Sequence, residues 1–181
     1  MKKLLTLIIF STLYSIAPTH GEVQPPNYNF SLESLEFFRP GKTLESIQAK
    51  YGKGDLVKSD DQGKVYQFYV AQIRYKFPVL VRIKEGKSVD FHARLPTYFS
   101  HDLFHQALIN RYGKQDRYFK HESNALYFWN NKDGVKHTYS GTCTITCFPI
   151  FYAMSQFPLP DGHIPLTDSM ILPKPQSVPG Q

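Results

Sequence analysis

From Ser31 onward the apolar residues fall at helical spacing: Leu32, Leu35 and Phe38 stand at i, i+3 and i+6, on one face of a helix with Ser31 as its cap. Pro40 and Gly41, both poor in helix interiors, break that run. Thr43 then caps a second helix in which Leu44, Ile47 and Tyr51 share a side, and Gly52 follows where a left-handed ending is wanted. Beyond Gly52 the period drops to two. The stretches DLVKSD, VYQFYVAQIRYKF and VLVRIKEGKSVDFHARL are rich in β-branched and aromatic residues, with DQGK and KEGK supplying turns. Val79, Val81 and Ile83 alternate as in a half-buried strand, and Pro78 argues for a bend or an edge position.

The same order then returns. Ser100 is expected to cap HDLFHQALINRY, with Phe104, Ala107, Leu108 and Arg111 stepping round the helix and Gly113 closing it. One constant offset carries Ile47 onto Leu108, Tyr51-Gly52-Lys53 onto Tyr112-Gly113-Lys114, Asp55 onto Asp116, Val65-Tyr66 onto Leu126-Tyr127 and Phe68 onto Trp129. A shared offset across helix, cap and strand reads as an internal duplication. NNKDGV supplies the turn into VKHTYSGTCTITCFPIFYAMSQ, again of strand composition. The expected fold is therefore α+β: two tandem helix-plus-antiparallel-sheet repeats, residues 31–96 and 97–156, side by side. Alternation places Tyr66, Phe68, Val70, Leu126 and Phe128 on one side of the strands, with Tyr69, Tyr127 and Trp129 on the other. Rings on both faces leave a patch for a partner to cover.

The termini have a different character. MKKLLTLIIFSTLYSIAPTHG opens with Lys2 and Lys3, is apolar from Leu4 to Phe10 and ends in small residues. It reads as a secretory signal peptide (1–21), shorter in its apolar run than the ~20 residues a spanning helix needs, followed by a linker over 22–30. The mature protein is thus expected in the periplasm or outside the cell, with no transmembrane segment. The tail 157–181 has too many prolines for regular structure and is expected to be extended or disordered, wrapping the domain or offering a peptide to a partner, with its MIL stretch as anchor. Aromatic residues make up 15% of the 181, enough to fill a core, and the formal net charge of +6 is interspersed rather than blocked. Interspersed charge argues against a nucleic-acid arm.

Candidate chemistry is sparse. Cys143 and Cys147 lie four apart. In a regular strand that is about 13 Å, beyond the roughly 7 Å Cα limit for a disulfide, so a bridge needs a bend. Gly141 and Pro149 permit one, and a bridge and a pair of buried thiols both fit. His101 and His105 share a helix face beside Asp102 and could present two imidazoles to a metal, although no glutamate follows His101 in the zincin position. The plainer reading puts Asp102 at the helix N-terminus and leaves both histidines partly exposed. His92 and His137 fall in strands. No GxSxG, phosphate loop or paired-carboxylate motif occurs, so neither cofactor nor metal is expected. RYGKQDRYFKHE sets Arg111, Lys114, Arg117 and Lys120 among Tyr112, Tyr118 and Phe119, which suits an acidic protein, an anionic glycan or a lipid headgroup.

PGKTLESIQAKYGKGD, followed by VYQFYV, resembles the small periplasmic fold shared by the BamE (SmpA/OmlA) outer-membrane assembly lipoproteins and the tandem-repeat β-lactamase inhibitor proteins. That resemblance implies helices on an antiparallel sheet and a role in binding another protein. The lipid-anchor cysteine of the first group is missing, and of the inhibitors' intra-domain disulfides only a Cys143–Cys147 pair has its residues here. The expected function is a non-enzymatic protein-binding module of the bacterial cell envelope, docking another envelope or extracellular protein on a sheet face or edge. Its contact residues would be Tyr69, Tyr75, Arg117, Tyr118, Phe119 and Trp129. The competing class is a small envelope hydrolase or a thiol- or metal-dependent enzyme using Cys143, Cys147, His137 or the His101/His105 pair.

Overall fold

Leu32, Leu35 and Phe38 are buried as their spacing requires, yet the helix is a single turn, α1 (Glu33–Glu36), which holds Leu35 alone of the three. The computed structural model describes residues 32–72, 75–97, 99–144 and 146–171. The expected leader, the linker and Ser31 lie outside them. Thr43, in extended backbone, accepts from the Ser46 N–H through Oγ1 at 3.2 Å and opens α2 (Leu44–Tyr51), which buries Ile47. α3 (His101–Tyr112) buries Phe104 and Leu108; Ser100 precedes it in extended backbone but makes no side-chain cap bond. Gly52 (φ 84°, ψ −175°) and Gly113 (φ 81°, ψ −174°) end the two longer helices in a region that essentially only glycine occupies.

The strands are β1 (Asp55–Asp60), β2 (Gly63–Gln72), β3 (Tyr75–Lys84), β4 (Lys87–Arg94), β5 (Arg117–His121), β6 (Asn124–Lys132), β7 (Val135–Cys143) and β8 (Cys147–Gln156). They form one antiparallel sheet in the order β1-β2-β3-β4-β8-β7-β6-β5. This overturns the expectation of two helix-plus-sheet repeats standing side by side. β4 pairs with β8 from Asp90↔Ser155 to Arg94↔Phe151, so the two meanders share one sheet and one core. The physical reason is that each meander would otherwise leave its last strand as an open edge, with a row of unpaired N–H and C=O groups. VYQFYVAQIRYKF is likewise not one strand, since Tyr75–Phe77 belongs to β3. Pro78 pairs with Tyr69 of β2 and lies just outside the β3–β4 ladder, which begins at Val79↔Ala93, so its missing N–H can face the side without a partner.

Register sets the faces. A single row across the helix-covered face reads Tyr118, Tyr127, Tyr139, Tyr152, Ala93, Val79 and Phe68. Phe104 of α3 packs on Tyr139 and Tyr152 with ring centroids 5.1 and 5.8 Å apart, and Phe38 packs on Phe68 at 5.7 Å. Tyr127 and Trp129 therefore share the face of Phe68 and Val70, while Leu126 and Phe128 lie on the other, opposite to the grouping that counting within each strand suggested. Alternation gives parity within a strand; only the ladder relates the parity of one strand to the next.

The opposite face is covered at its centre by the part of the C-terminal segment that is described, residues 157–171. Pro165, Leu166 and Thr167 are buried, and α4 (Leu166–Ile171) lies against β4. Met170, the first of the three residues of the expected anchor, is exposed. Arg82 Nη1 donates to Ile164 O at 2.6 Å, and His163 Nε2 sits 2.6 Å from Asp90 Oδ2. A buried charge recruits any chain that satisfies it, and this is what the proline count concealed.

Two outcomes follow. A methyl group at Gly113 meets no atom within 4 Å, so Gly113→Ala should lose about 1–3 kcal/mol through backbone strain alone, read as a lower urea midpoint with unchanged m. Arg82→Met strips a cation from buried Asp90 and should cost about 3 kcal/mol or more, with protease cleavage appearing first between residues 157 and 171.

Candidate functional site

β5 is the short strand RYFKH at one margin of the sheet, and all five of its residues are exposed. Alternation sends Tyr118 and Lys120 to the helix-covered face and Arg117, Phe119 and His121 to the other. Its register on β6 runs without a shift from Arg117↔Phe128 to His121↔Asn124. The opposite margin differs: β1 carries an irregularity between Leu56 and Lys58, and Lys58 is bridged to Asp60. A bulge with an in-strand lysine is a common guard on a sheet edge, so β5 is the regular edge and β1 the guarded one.

Two half-exposed rings flank β5, Tyr118 at 48% and Phe119 at 50%. Tyr118 ends a ring ladder, 5.0 Å from Tyr127, which lies 5.6 Å from Tyr139. Phe119 has the Arg117 guanidinium 5.0 Å from its centroid and Phe128 edge-on at 5.9 Å, and the Lys136 ammonium lies 5.3 Å from the Phe128 ring. Asp116, itself exposed, accepts from the Asn130 N–H at 2.6 Å with Lys132 Nζ 3.9 Å away. Lys114, Arg117 and Lys120 are thus left facing solvent beside the rings.

Of the six contact residues expected, the structure brings together Arg117, Tyr118 and Phe119. Tyr69 is 48% exposed but stands on β2, in the other half of the sheet. Tyr75 starts β3 opposite Gln72; its side chain lies outside the described residues. Trp129 is corrected outright: it is 0% exposed, and its Nε1 donates to Gly113 O at 2.7 Å, which pins the end of α3 to the sheet. An indole so placed has no surface to offer a partner. Phe128 and Lys136, which complete the patch, were missed; the signal was their cross-strand position, invisible without register.

The residues named for the alternative chemistry are engaged with one another or with the core. Cys143 and Cys147 face each other across the β7–β8 hairpin with Cα atoms 4.0 Å apart and their sulfurs bonded, so no thiol is available. Of the two histidines of α3 expected to be partly exposed, His101 is buried and His105 is partly buried. His101 Nδ1 shares a 2.7 Å hydrogen bond with the Tyr139 hydroxyl, against a glycine, Gly141, whose missing side chain makes room for the ring. The His105 ring lies tilted against Tyr127, centroids 4.1 Å apart. His137 Nδ1 shares a 2.7 Å bond with the Tyr152 hydroxyl. Among the described residues no three His, Cys, Asp or Glu side chains converge as metal ligands. A cleft of about 570 Å³ opens between the β3–β4 and β6–β7 turns, but its Arg39 donates to Asp133 O at 3.0 Å and sits 3.6 Å from Glu36, and no nucleophile faces a base there.

Burial drives these imidazoles toward the neutral form. It depresses His101 and His105, takes His92 to about 4, and takes His137 to about 3 with help from Arg39, Arg111 and Lys132. No known protein family, curated protein or solved structure matches the chain, so its function has to be read from its own geometry.

A depressed histidine favours the fold fully above its unfolded pKa of 6.5, and that contribution fades as pH falls toward the folded value. Each of His92 and His137 should therefore cost about 1.4 kcal/mol of stability per pH unit below 6.5, down to pH near 4 and 3 respectively. Asp90, its carboxyl raised by burial, acts in the opposite sense nearer its own range. Urea midpoints should fall as pH drops from 6.5 to 5, and His137→Leu, though weaker at neutral pH, should show a shallower slope by about one proton.

Proposed function

We propose that the protein is a non-enzymatic protein-binding module of the cell envelope or extracellular space that receives an extended segment of its partner along β5. The observation that carries this reading is an unpaired, regular edge strand with a half-exposed ring on each face. Strand addition draws affinity from main-chain hydrogen bonds and specificity from alternate side chains, and β5 offers both kinds of contact. The Cys143–Cys147 bond supports a place in an oxidising compartment, in keeping with the leader-like N-terminus. The ring-and-cation patch of Arg117, Phe119, Phe128 and Lys136 would serve as the rim on the face away from the helices.

Photo-crosslinking tests the placement. A photoreactive residue at position 119 should trap a partner from the envelope extract of the native cell, and one at position 58 on the guarded β1 edge should not. Tyr118→Ser together with Phe119→Ser should weaken the trapped partner's binding about tenfold or more, as truncated anchor rings do, while Tyr69→Ser leaves it unchanged. Equal trapping at both edges, or unchanged affinity in a double variant of unaltered melting temperature, would overturn the proposal.

A further inference from the structure

The order of side chains along β5 carries information about what pairs with it. From Arg117 to Lys120 the sequence is cation, ring, ring, cation. Arg117 and Phe119 stand on one face, Tyr118 and Lys120 on the other, so each face of the edge presents one ring beside one cation. The acids nearby do not neutralise this pattern. Asp116 is held by Asn130 and Lys132 of β6, and Glu122 sits beyond the strand in the turn, at φ 52°. His121 is the remaining titratable side chain on the strand.

A strand laid along β5 must place one residue opposite each of these four, and directly opposed residues are the pairs that interact. Resting on the β5 docking reading above, we infer that the occupant is an acidic extended segment with the core order acid, apolar, apolar, acid. The two carboxylates meet Arg117 and Lys120, and the two apolar side chains cover Tyr118 and Phe119. Because that order is the same read from either end, it suits parallel and antiparallel addition alike. The segment's apolar residue over Tyr118 continues the ladder of Tyr139 and Tyr127 outward, and its mate extends the Phe128–Phe119 contact on the opposite face.

Three synthetic octapeptides with glycine-serine flanks test the inference by amide-shift titration of the full mature chain at low salt. Their cores are Glu-Val-Val-Glu, the permuted Val-Glu-Glu-Val, and the charge-reversed Lys-Val-Val-Lys. The first should shift β5 amides and bind about three- to tenfold more tightly than either other, the range expected of two exposed ion pairs, and the preference should shrink as salt rises. The double variant Arg117→Glu, Lys120→Glu, confined to exposed side chains, should invert the preference toward the lysine core. If all three peptides shift β5 equally, the edge docks strands but the acidic order is wrong. Should none perturb β5 up to millimolar concentration, or the shifts fall on β1, the docking reading itself fails.

Discussion

The pairing of β4 with β8 is the constraint on which the rest of the molecule depends. Five residue pairs, from Asp90↔Ser155 to Arg94↔Phe151, turn two four-stranded meanders into one sheet. Each meander alone would expose two edges and half a core. Joined, they bury Phe91, Ala93, Tyr152 and Met154 at the centre of the helix-covered face, where Phe38, just after α1, and Phe104 of α3 close over them. Among the described strands the outermost two remain as edges, and they are treated unequally, with a bulge on β1 and a regular ladder on β5.

The same junction organises the second face. Asp90 of β4 and Arg82 of β3 lie buried 4.0 Å apart, too far for a strong direct bond, and each keeps an unsatisfied atom, Asp90 Oδ1 and Arg82 Nε. Their better partners come from the C-terminal segment, through His163 and the Ile164 carbonyl. Burying charge in this way is costly, and its benefit is specificity of docking more than net stability. With the middle of that face roofed by α4, Phe119 of β5 and Tyr69 of β2 stay half-exposed on its two flanks, while Thr138 and Ser140 of β7 are buried.

Polar groups in the aromatic core follow one rule. Tyr139 and Tyr152 each hold a buried histidine, and Tyr112 donates to Glu36 at 2.7 Å while its ring lies 4.1 Å from His137. Phenol and imidazole are large enough to fill a core and polar enough to need partners, so they are placed in pairs. The pairing explains how so many titratable side chains gather in the core, and why their neutrality ties the fold to pH.

What the sequence determined by itself is local. The anchors Leu35, Phe38, Ile47, Phe104 and Leu108, the glycine stops at Gly52 and Gly113, the Thr43 cap, and most strand stretches were legible because each depends on neighbours within a few residues. The half-exposed Tyr118 and Phe119 were legible as a ring-and-cation run, though not as an edge. Tertiary structure alone decided that the meanders fuse, that Trp129 and His101 turn inward, that Cys143 meets Cys147 across a hairpin, and that the proline-rich segment docks. Those outcomes turn on which strand lies beside which and on the total area and charge buried when they meet. Periodicity along a chain specifies one element's faces; it holds no record of the register that relates one element to another.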